Sequence, residues 1–320
     1  MKKILTADIG GTNSRFAYFQ LQPNGTLSLV ETHWLKTRDA RSFLQLLEHL
    51  SATEFSLSRA QSDLAVFAIA GPVEDGVFSD PPNIAWQIDL ANALENFDLQ
   101  RCLLINDFVA QAYACRSPII KDARQILPGT IVPDAPLAVI GAGTGLGQAA
   151  LISDENGNFW PVPSEGAHNN FAFESKEEYE YKQFLLDKLG SEYVETETVV
   201  SGKGLGLVHQ FLTGDKLDPA GVTAVINRDS ATMRWAARFY GRVCRIYALQ
   251  VFARGGVYIA GGVAAKVPEL VLHTEFKKEF YKSTTMGHVL KKIPVFLNSN
   301  QDSGLWGAAI IGQQILKSEK

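Results

Sequence analysis

Two short runs of glycine and threonine carry the clearest chemical signal in the chain, Gly10-Gly11-Thr12 and Gly143-Thr144-Gly145. Each follows an apolar run, KILTADI before the first and PLAVIGA before the second, and each leads into another, SRFAYF and QAALIS. A glycine-rich turn after a strand raises three readings: a dinucleotide fold, a nucleotide P-loop, or a hairpin that grips phosphate. Around residues 141–147 neither register spells GxGxxG, because Leu146 or Gln148 stands where the third glycine belongs. The P-loop spacing, GxxxxGK followed by Ser or Thr, does not occur either. Both turns run into strand-like segments, so a phosphate would meet backbone N–H groups of a β-turn. Glycine suits that task, since a Cβ would hold the backbone away from phosphate oxygens and turn positions with φ > 0 are costly for other residues. Thr12 and Thr144 add hydroxyl donors. One such turn is as readily an ordinary hairpin; two matching ones favour the phosphate reading.

The elements that must hold these turns alternate between strand and helix patterns, which argues for an α/β architecture. KILTADIGG, SRFAYFQL and, after Pro23-Asn24-Gly25, TLSLVETHWL read as three successive strands. Phe43, Leu46, Leu47 and Leu50 then share one helical face. LAVFAIAG and RCLLINDF are short, nearly all-apolar runs suited to strands covered on both faces. The second half opens as the first does, with PLAVIGAG, QAALIS and, after Asn156-Gly157, FWPVPS. Ser175 and Glu178 have capping-box spacing before a helix to Leu189, and Gly190 suits its C-terminal cap. A long helix from Ser230 to about Phe252 carries the small residues Ala237, Gly241, Cys244 and Ala248. GGVYIAGGV is a further buried strand, and Trp306 to Leu316 a closing helix.

A chain of 320 residues, 46% of them hydrophobic, can bury a large core and has the usual size for two domains. Its formal net charge is −4 and no long Lys/Arg run occurs, so nothing marks a nucleic-acid or anionic-membrane partner. Cys102, Cys115 and Cys244 are odd in number and far apart, as buried thiols of a reducing compartment would be. The apolar run at the start is cut by Asp8, too soon for a signal peptide. The uncharged run from Ala135 to Ser153 is interrupted by glycines and reads as strand, turn and strand rather than as a membrane span. A cytoplasmic location follows as the expectation.

In this order and spacing the residues resemble a known family. Asp8-Ile9-Gly10-Gly11-Thr12-Asn13-Ser14-Arg15 is similar to the first phosphate motif of the actin and hexokinase superfamily, and Gly143-Thr144-Gly145-Leu146-Gly147 to its second. Ile259-Ala260-Gly261-Gly262 resembles the adenosine motif. Leu104-Ile105-Asn106-Asp107-Phe108, Pro163-Ser164-Glu165-Gly166-Ala167-His168 and Glu197-Thr198-Val199-Val200-Ser201-Gly202 resemble the catalytic-base segment, the sugar loop and a further sugar-contacting segment of bacterial glucokinases. The likeness covers essentially the whole chain. Two places depart from it: GAHNNF follows Glu165 where a second glycine and an aspartate would be expected, and Ala70-Gly71-Pro72 replaces an Ala-Cys-Pro form. The related repressor and open-reading-frame kinase branch would carry a cysteine-rich zinc motif, which is missing.

The resemblance implies two RNase H-like α/β domains flanking a deep cleft, the smaller from residues 1–110 plus 301–320 and the larger from 111–300. It implies transfer of the γ-phosphoryl group of ATP to the terminal hydroxyl of glucose, with Mg²⁺ and as a homodimer. Asp107 would be the proton acceptor, with a helix N-cap as its plainer use. Asp8 would hold Mg²⁺ through water, or serve an Asx-turn, or both. Asn106, Asp107, Glu165, His168 and Glu197 would bind the sugar, although a loop histidine is commonly structural and Glu197 suits a solvated strand edge as well. Gly10, Gly11, Thr12, Asn13, Gly143, Thr144, Gly145, Gly261 and Gly262 would contact the nucleotide. Arg15 could point to solvent or to a nearby carboxylate. Asn83 and Trp86 read as a loop with a packing tryptophan. The rivals are a kinase for another hexose, a non-catalytic sugar sensor, and a filament-forming actin relative. A sensor of the DNA-binding kind would need a helix-turn-helix ahead of Ile4, and the filament reading is disfavoured by Asn106-Asp107 with Glu165 and His168.

Overall fold

The computed structural model describes residues 1–318. By their contacts these residues form two compact units, one from residues 1–121 with the chain from Asn300 onward, the other from Asp122 to Ser299. The division falls after Lys121 rather than at 110, because the helix Asp107–Ala114 packs on the C-terminal helix Ser303–Lys317. There Gly307 lies so close to the carbonyl of Ala110 that a Cβ would come within 1.7 Å of it.

The first unit is built on five strands: β1 (Lys2–Ile9), β2 (Asn13–Leu21), β3 (Leu27–Lys36), β4 (Leu64–Ile69) and β5 (Cys102–Asn106). Their order across the sheet is β3-β2-β1-β4-β5. The hairpin strands β1, β2 and β3 pair antiparallel, whereas β4 runs parallel to both β1 and β5. β4 is buried at every residue, as its unbroken apolar sequence requires of a strand covered on both faces. Helix α1 (Phe43–Ser51) turns Phe43, Leu46, Leu47 and Leu50 onto one side of the sheet, and Ser42 caps it by accepting the Gln45 N–H. The C-terminal helix covers the other side, where Gly312 lets it approach Ile4.

The second unit repeats the plan. Strands β6 (Arg124–Leu127), β7 (Leu137–Ala142), β8 (Leu146–Ser153), β9 (Phe159–Ser164), β10 (Val257–Ala260) and β11 (Val295–Leu297) lie in the order β9-β8-β7-β10-β11-β6. β7, β8 and β9 are an antiparallel meander and β10 lies parallel to β7 and β11, so the first unit's pattern recurs with β6 added at the edge. The duplication expected from the two strand-glycine-strand runs, and the two RNase H-like domains with it, are therefore present.

The predicted helices of this unit also form. Lys176–Leu189 is capped by Ser175, which accepts the Glu178 N–H, and closes on Gly190 in the left-handed region. The Glu178 carboxylate does not complete the capping box; it accepts from Glu174 N and is buried against Arg242. The long helix runs Ala231–Gln250 from a Ser230 cap, and Gly241 admits the backbone of the helix Thr274–Phe280 at a spacing no Cβ would tolerate. Cys115 and Cys244 are buried free thiols, with burial pushing both above the ordinary cysteine range, while Cys102 is only half-buried. Among the described residues no helix is long and apolar enough to cross a membrane.

Candidate active site

Parallel strands in open α/β sheets present their C-terminal ends to ligands. Nearly every residue singled out from sequence lies at or just beyond such an end. In the first unit these are the ends of β1 (Asp8, Gly10), β4 (Ala70, Gly71) and β5 (Asn106, Asp107), which stand side by side because Ile9 pairs with Ile69 and Ile69 with Asn106.

Asp8 is largely buried and accepts a 2.6 Å hydrogen bond from Arg15 Nη2, directly across the hairpin. Burial raises the pKa of its carboxyl, and the Arg15 cation and hydrogen bond offset only part of that rise. Arg15 is thus turned to a carboxylate and not to solvent, and its guanidinium also lies over the Trp34 ring, 5.0 Å from the centroid. The C-terminal helix begins against the same carboxylate, where a Cβ on Gly304 would fall 2.5 Å from Asp8 Oδ2.

Between β1 and β2 the turn closes through Gly10 N–H donating to Asn13 O, while Thr12 O accepts from Thr37 N. Neither this turn nor the second uses positive φ: Gly10, Gly11, Gly143 and Gly145 all lie outside the left-handed residues of the chain. Conformational freedom, one of the two reasons for glycine expected from sequence, therefore does not apply at these positions. Close approach does. A Cβ on Gly11 would stand 2.6 Å from the backbone carbonyl of Asn83, so the loop judged to be packing material fills that space. Trp86 from the same loop is buried, donates to Ala40 O and packs beside Phe43, as a packing tryptophan should.

Asn106 rather than Asp107 caps the helix that follows β5. Its Oδ1 accepts from Phe108 N and Val109 N, and its Nδ2 donates to Gly71 O. The carbonyl of Gly71 at the end of β4 thereby fixes the Asn106 amide, which fixes the first turn of the helix and with it Asp107. Asp107 Oδ1 accepts from Phe108 N at 3.0 Å.

In the second unit the turn after β7 is supported from below by the buried Tyr240, whose hydroxyl accepts the Ala142 N–H, and from the side by Gly202, whose N–H donates to Gly143 O. Glu197 lies in the first turn of a short helix, Thr196–Val199, not on a strand edge. Its Oε2 accepts from Leu146 N at 2.9 Å, and a Cβ on Gly145 would strike that oxygen at 2.2 Å. Gly145 is thus glycine to admit Glu197. Gly143 and Gly262 differ: a Cβ on either would enter open space. Gly261, in the left-handed region with φ 88°, lies against Ala142 O and joins β10 to the turn after β7.

Gly143, Thr144, Gly262 and Val263 line one cavity of about 920 Å³ with Lys203, Leu205, Leu217 and Pro219 among others. The second turn and the predicted adenosine motif are therefore brought together, with Gly145 and Gly261 acting behind the wall.

Glu165 precedes the 3₁₀ turn Gly166–His168 and His168 ends it, both exposed, with His168 Nε2 3.7 Å from Glu165 Oε2. His168 Nδ1 lies 3.4 Å from Glu195, a residue that sequence reasoning missed. Ligand atoms of His168, Glu195 and Glu197 all fall within 4.8 Å of one another. The Glu195-Thr196-Glu197 repeat was the available signal. Thr196 holds the segment by donating from both its N–H and its hydroxyl to Asn169 O, in the loop that departs from the family pattern.

A family model described as Glucokinase matches residues 5–315. A glucokinase of Nostoc punctiforme is 30% identical over 98% of this chain and 100% of its own length. Among solved structures, a glucokinase from an Antarctic psychrotroph superposes with a TM-score of 0.82 at 26% identity, over 97% of this chain and 98% of that one. The glucokinase of Balamuthia mandrillaris, solved in complex with glucose, gives 0.79 at 20% identity over 97% and 93%, a likeness of fold.

Proposed function

The chain belongs to the glucokinase family, and from that premise we propose how its residues divide the work of the reaction. It is an ATP-dependent glucokinase: the γ-phosphoryl group of ATP passes to the terminal hydroxyl of glucose, giving glucose 6-phosphate and ADP. Phosphoryl transfer through a loose transition state asks the protein for alignment and charge stabilisation more than for covalent chemistry.

Asp107 accepts the proton of the sugar hydroxyl. The proton leaves late in a loose transition state, so a carboxylate serves if it is held in place, and the Gly71–Asn106–helix relay supplies that hold. Asn106 is spent largely on this relay, so its share in sugar binding is confined to what the rest of its amide can reach. Glu165, His168 and Glu197, with Glu195 added, offer carboxylates and an imidazole to a ring of hydroxyls that both donate and accept. Glu197 also ties the sugar-binding segment to the second phosphate turn through Leu146 N. Gly10, Gly11, Thr12 and Asn13 form the first phosphate turn, while Gly143, Thr144 and Gly262 face the nucleotide in the cavity. Gly145 and Gly261 shape it.

The donor set suits Mg²⁺. Asp8 is a carboxylate at the end of β1 beside the first glycine turn, held in place by the Arg15 guanidinium, and magnesium keeps several waters and needs few protein ligands. When bound with ATP, the ion would neutralise charge on the phosphates; Asp8 would hold it, through water, and Arg15 keeps Asp8 oriented. A homodimer in the cytoplasm is the setting that the family resemblance implies.

The observation that carries this reading is the second-unit cavity, where the phosphate turn and the adenosine motif meet. A coupled assay with ATP across glucose, mannose, fructose and N-acetylglucosamine tests it. Glucose should have the highest kcat/KM, and turnover only with another sugar would overturn the specificity. Sedimentation at several protein concentrations tests the dimer.

A further inference from the structure

The chain is acidic overall, with a formal net charge of −4, yet four lysines line the second-unit cavity: Lys188, Lys203, Lys216 and Lys266. A single carboxylate faces them, that of Asp218. It is already engaged, because Asp218 caps the helix Pro219–Val225 by accepting the Gly221 N–H at 2.7 Å. Lys188 is drawn aside over the Phe184 ring. Lys203, Lys216 and Lys266 have no ion-pair partner among the described residues. Unpaired cations gathered in one concavity of an acidic protein focus a positive potential there, which favours an anionic occupant.

Lys203 has the sharpest placement of the three. It is the second residue of the helix Gly202–Thr213, directly after Gly202, whose N–H is bonded to the carbonyl of Gly143 in the phosphate turn at 2.9 Å. The helix therefore starts at the turn, and the lysine stem projects into the cavity that Gly143 and Thr144 also line. Apolar side chains of Leu205, Leu217, Val263 and Val267 form much of the remaining wall. Apolar and cationic side chains in one lining together match a molecule with a flat, weakly polar ring and several negative charges.

We propose that Lys203 is a phosphate ligand of the nucleotide donor, and that Lys216 and Lys266 add a longer-range field that draws the donor's phosphates into the same cavity. This rests on the cavity being the nucleotide site. A lysine is a flexible point charge with three donors, able to follow the β- and γ-phosphates through transfer without a fixed fork geometry.

The test measures ADP and adenosine binding to the whole protein by calorimetry, for the unaltered chain and for Lys203→Gln, Lys203→Arg and Lys266→Gln, at low and high salt. Lys203→Gln should weaken ADP by about tenfold, the scale of one charge-assisted hydrogen bond, and leave adenosine unchanged. Lys203→Arg should recover most of that loss. Lys266→Gln should cost less and mainly flatten the salt dependence, as a screened longer-range charge does. Because Lys203 is exposed, the melting temperature should not move. Unchanged ADP affinity in Lys203→Gln, or equal weakening of ADP and adenosine, overturns the proposal while the cavity remains the nucleotide site. Failure of the unaltered protein to bind either compound removes the site itself and the proposal with it.

Discussion

Asp107 and His168 differ in how firmly the structure holds them, and that difference sets what their loss should do. Asp107 occupies the first turn of a helix whose cap is made by its neighbour, so Asp107→Asn leaves the Asn106 cap and the Gly71 contact in place. Its amide oxygen can still accept from Phe108 N. The expected result is near-normal glucose binding with kcat lowered by about 10²-fold or more, the scale for a positioned acid or base. Steady-state kinetics beside direct sugar titration separates the two, and near-normal turnover would remove Asp107 from the base role. His168 is exposed, at the end of a 3₁₀ turn among three carboxylates. His168→Ala should raise the KM for glucose while kcat changes less, as loss of a ground-state contact does. A rise confined to the KM for ATP would reassign it.

Glycine at the two turns works at the level of the element, and the structure separates positions that the sequence makes look alike. Gly11 faces the Asn83 carbonyl at a distance that no side chain fits, whereas Gly143 faces open space. Gly11→Ala must displace backbone and should lower the melting temperature by several degrees, the effect of roughly 1–3 kcal/mol of overpacking in a tight contact. Gly143→Ala should melt normally and lose ATP affinity, because its methyl enters only the space a phosphate would use. Thermal melts paired with ATP KM values decide it, and a normal KM for Gly143→Ala would take that residue out of the site. The helices of the second unit carry their own signature in acid. Desolvation pushes the Glu174 carboxyl up, but bonds from Lys282 and Arg245 and the nearby Arg242 charge bring it, on balance, below its ordinary 4.5. A lowered carboxylate pKa means that the folded state binds fewer protons than the unfolded state. The stability from Glu174 is then present above pH 4.5 and lost as pH falls through the folded value. Glu174→Gln should be less stable than the unaltered chain at neutral pH and converge with it in acid, a trend that melts between pH 7 and 3 would reveal. The strands, the long helix and the Ser175 and Gly190 caps were legible because apolar runs, periodicity and caps are local signals. The Asn83–Gly11 and Glu197–Leu146 contacts were not, since each joins residues far apart in sequence and depends on backbone proximity that only the fold creates.

At the scale of the molecule, the chain leaves its first unit at Lys121, builds the second, and returns at Asn300 to finish the first. The family resemblance implies such a return with the crossing near 110, and nothing local in 107–114 reveals that this helix packs on the distant C-terminal helix. That partner does more than cover the sheet. Gly304, Gly307 and Gly312 along it lie against Asp8, Ala110 and Ile4 respectively, each too closely for a Cβ without movement of the neighbour. The C-terminal helix thus seats the Asp8 turn, the helix bearing Asp107, and the β1 face together, coupling three parts of the candidate site to a segment that carries none of its proposed residues. A fragment of residues 1–121 would expose the apolar surface of β1, β4 and the helix after β5, so it should lack a cooperative melting transition. Residues 122–299 keep their own sheet and core and should melt cooperatively as an isolated fragment. Adding a 300–320 peptide to the 1–121 fragment should restore a transition and slow amide exchange in β1 and β4. Circular dichroism melts and hydrogen exchange on the three samples provide the check, and a 1–121 fragment that melts cooperatively without the peptide would show that the returning helix is an accessory to the first unit rather than part of its core.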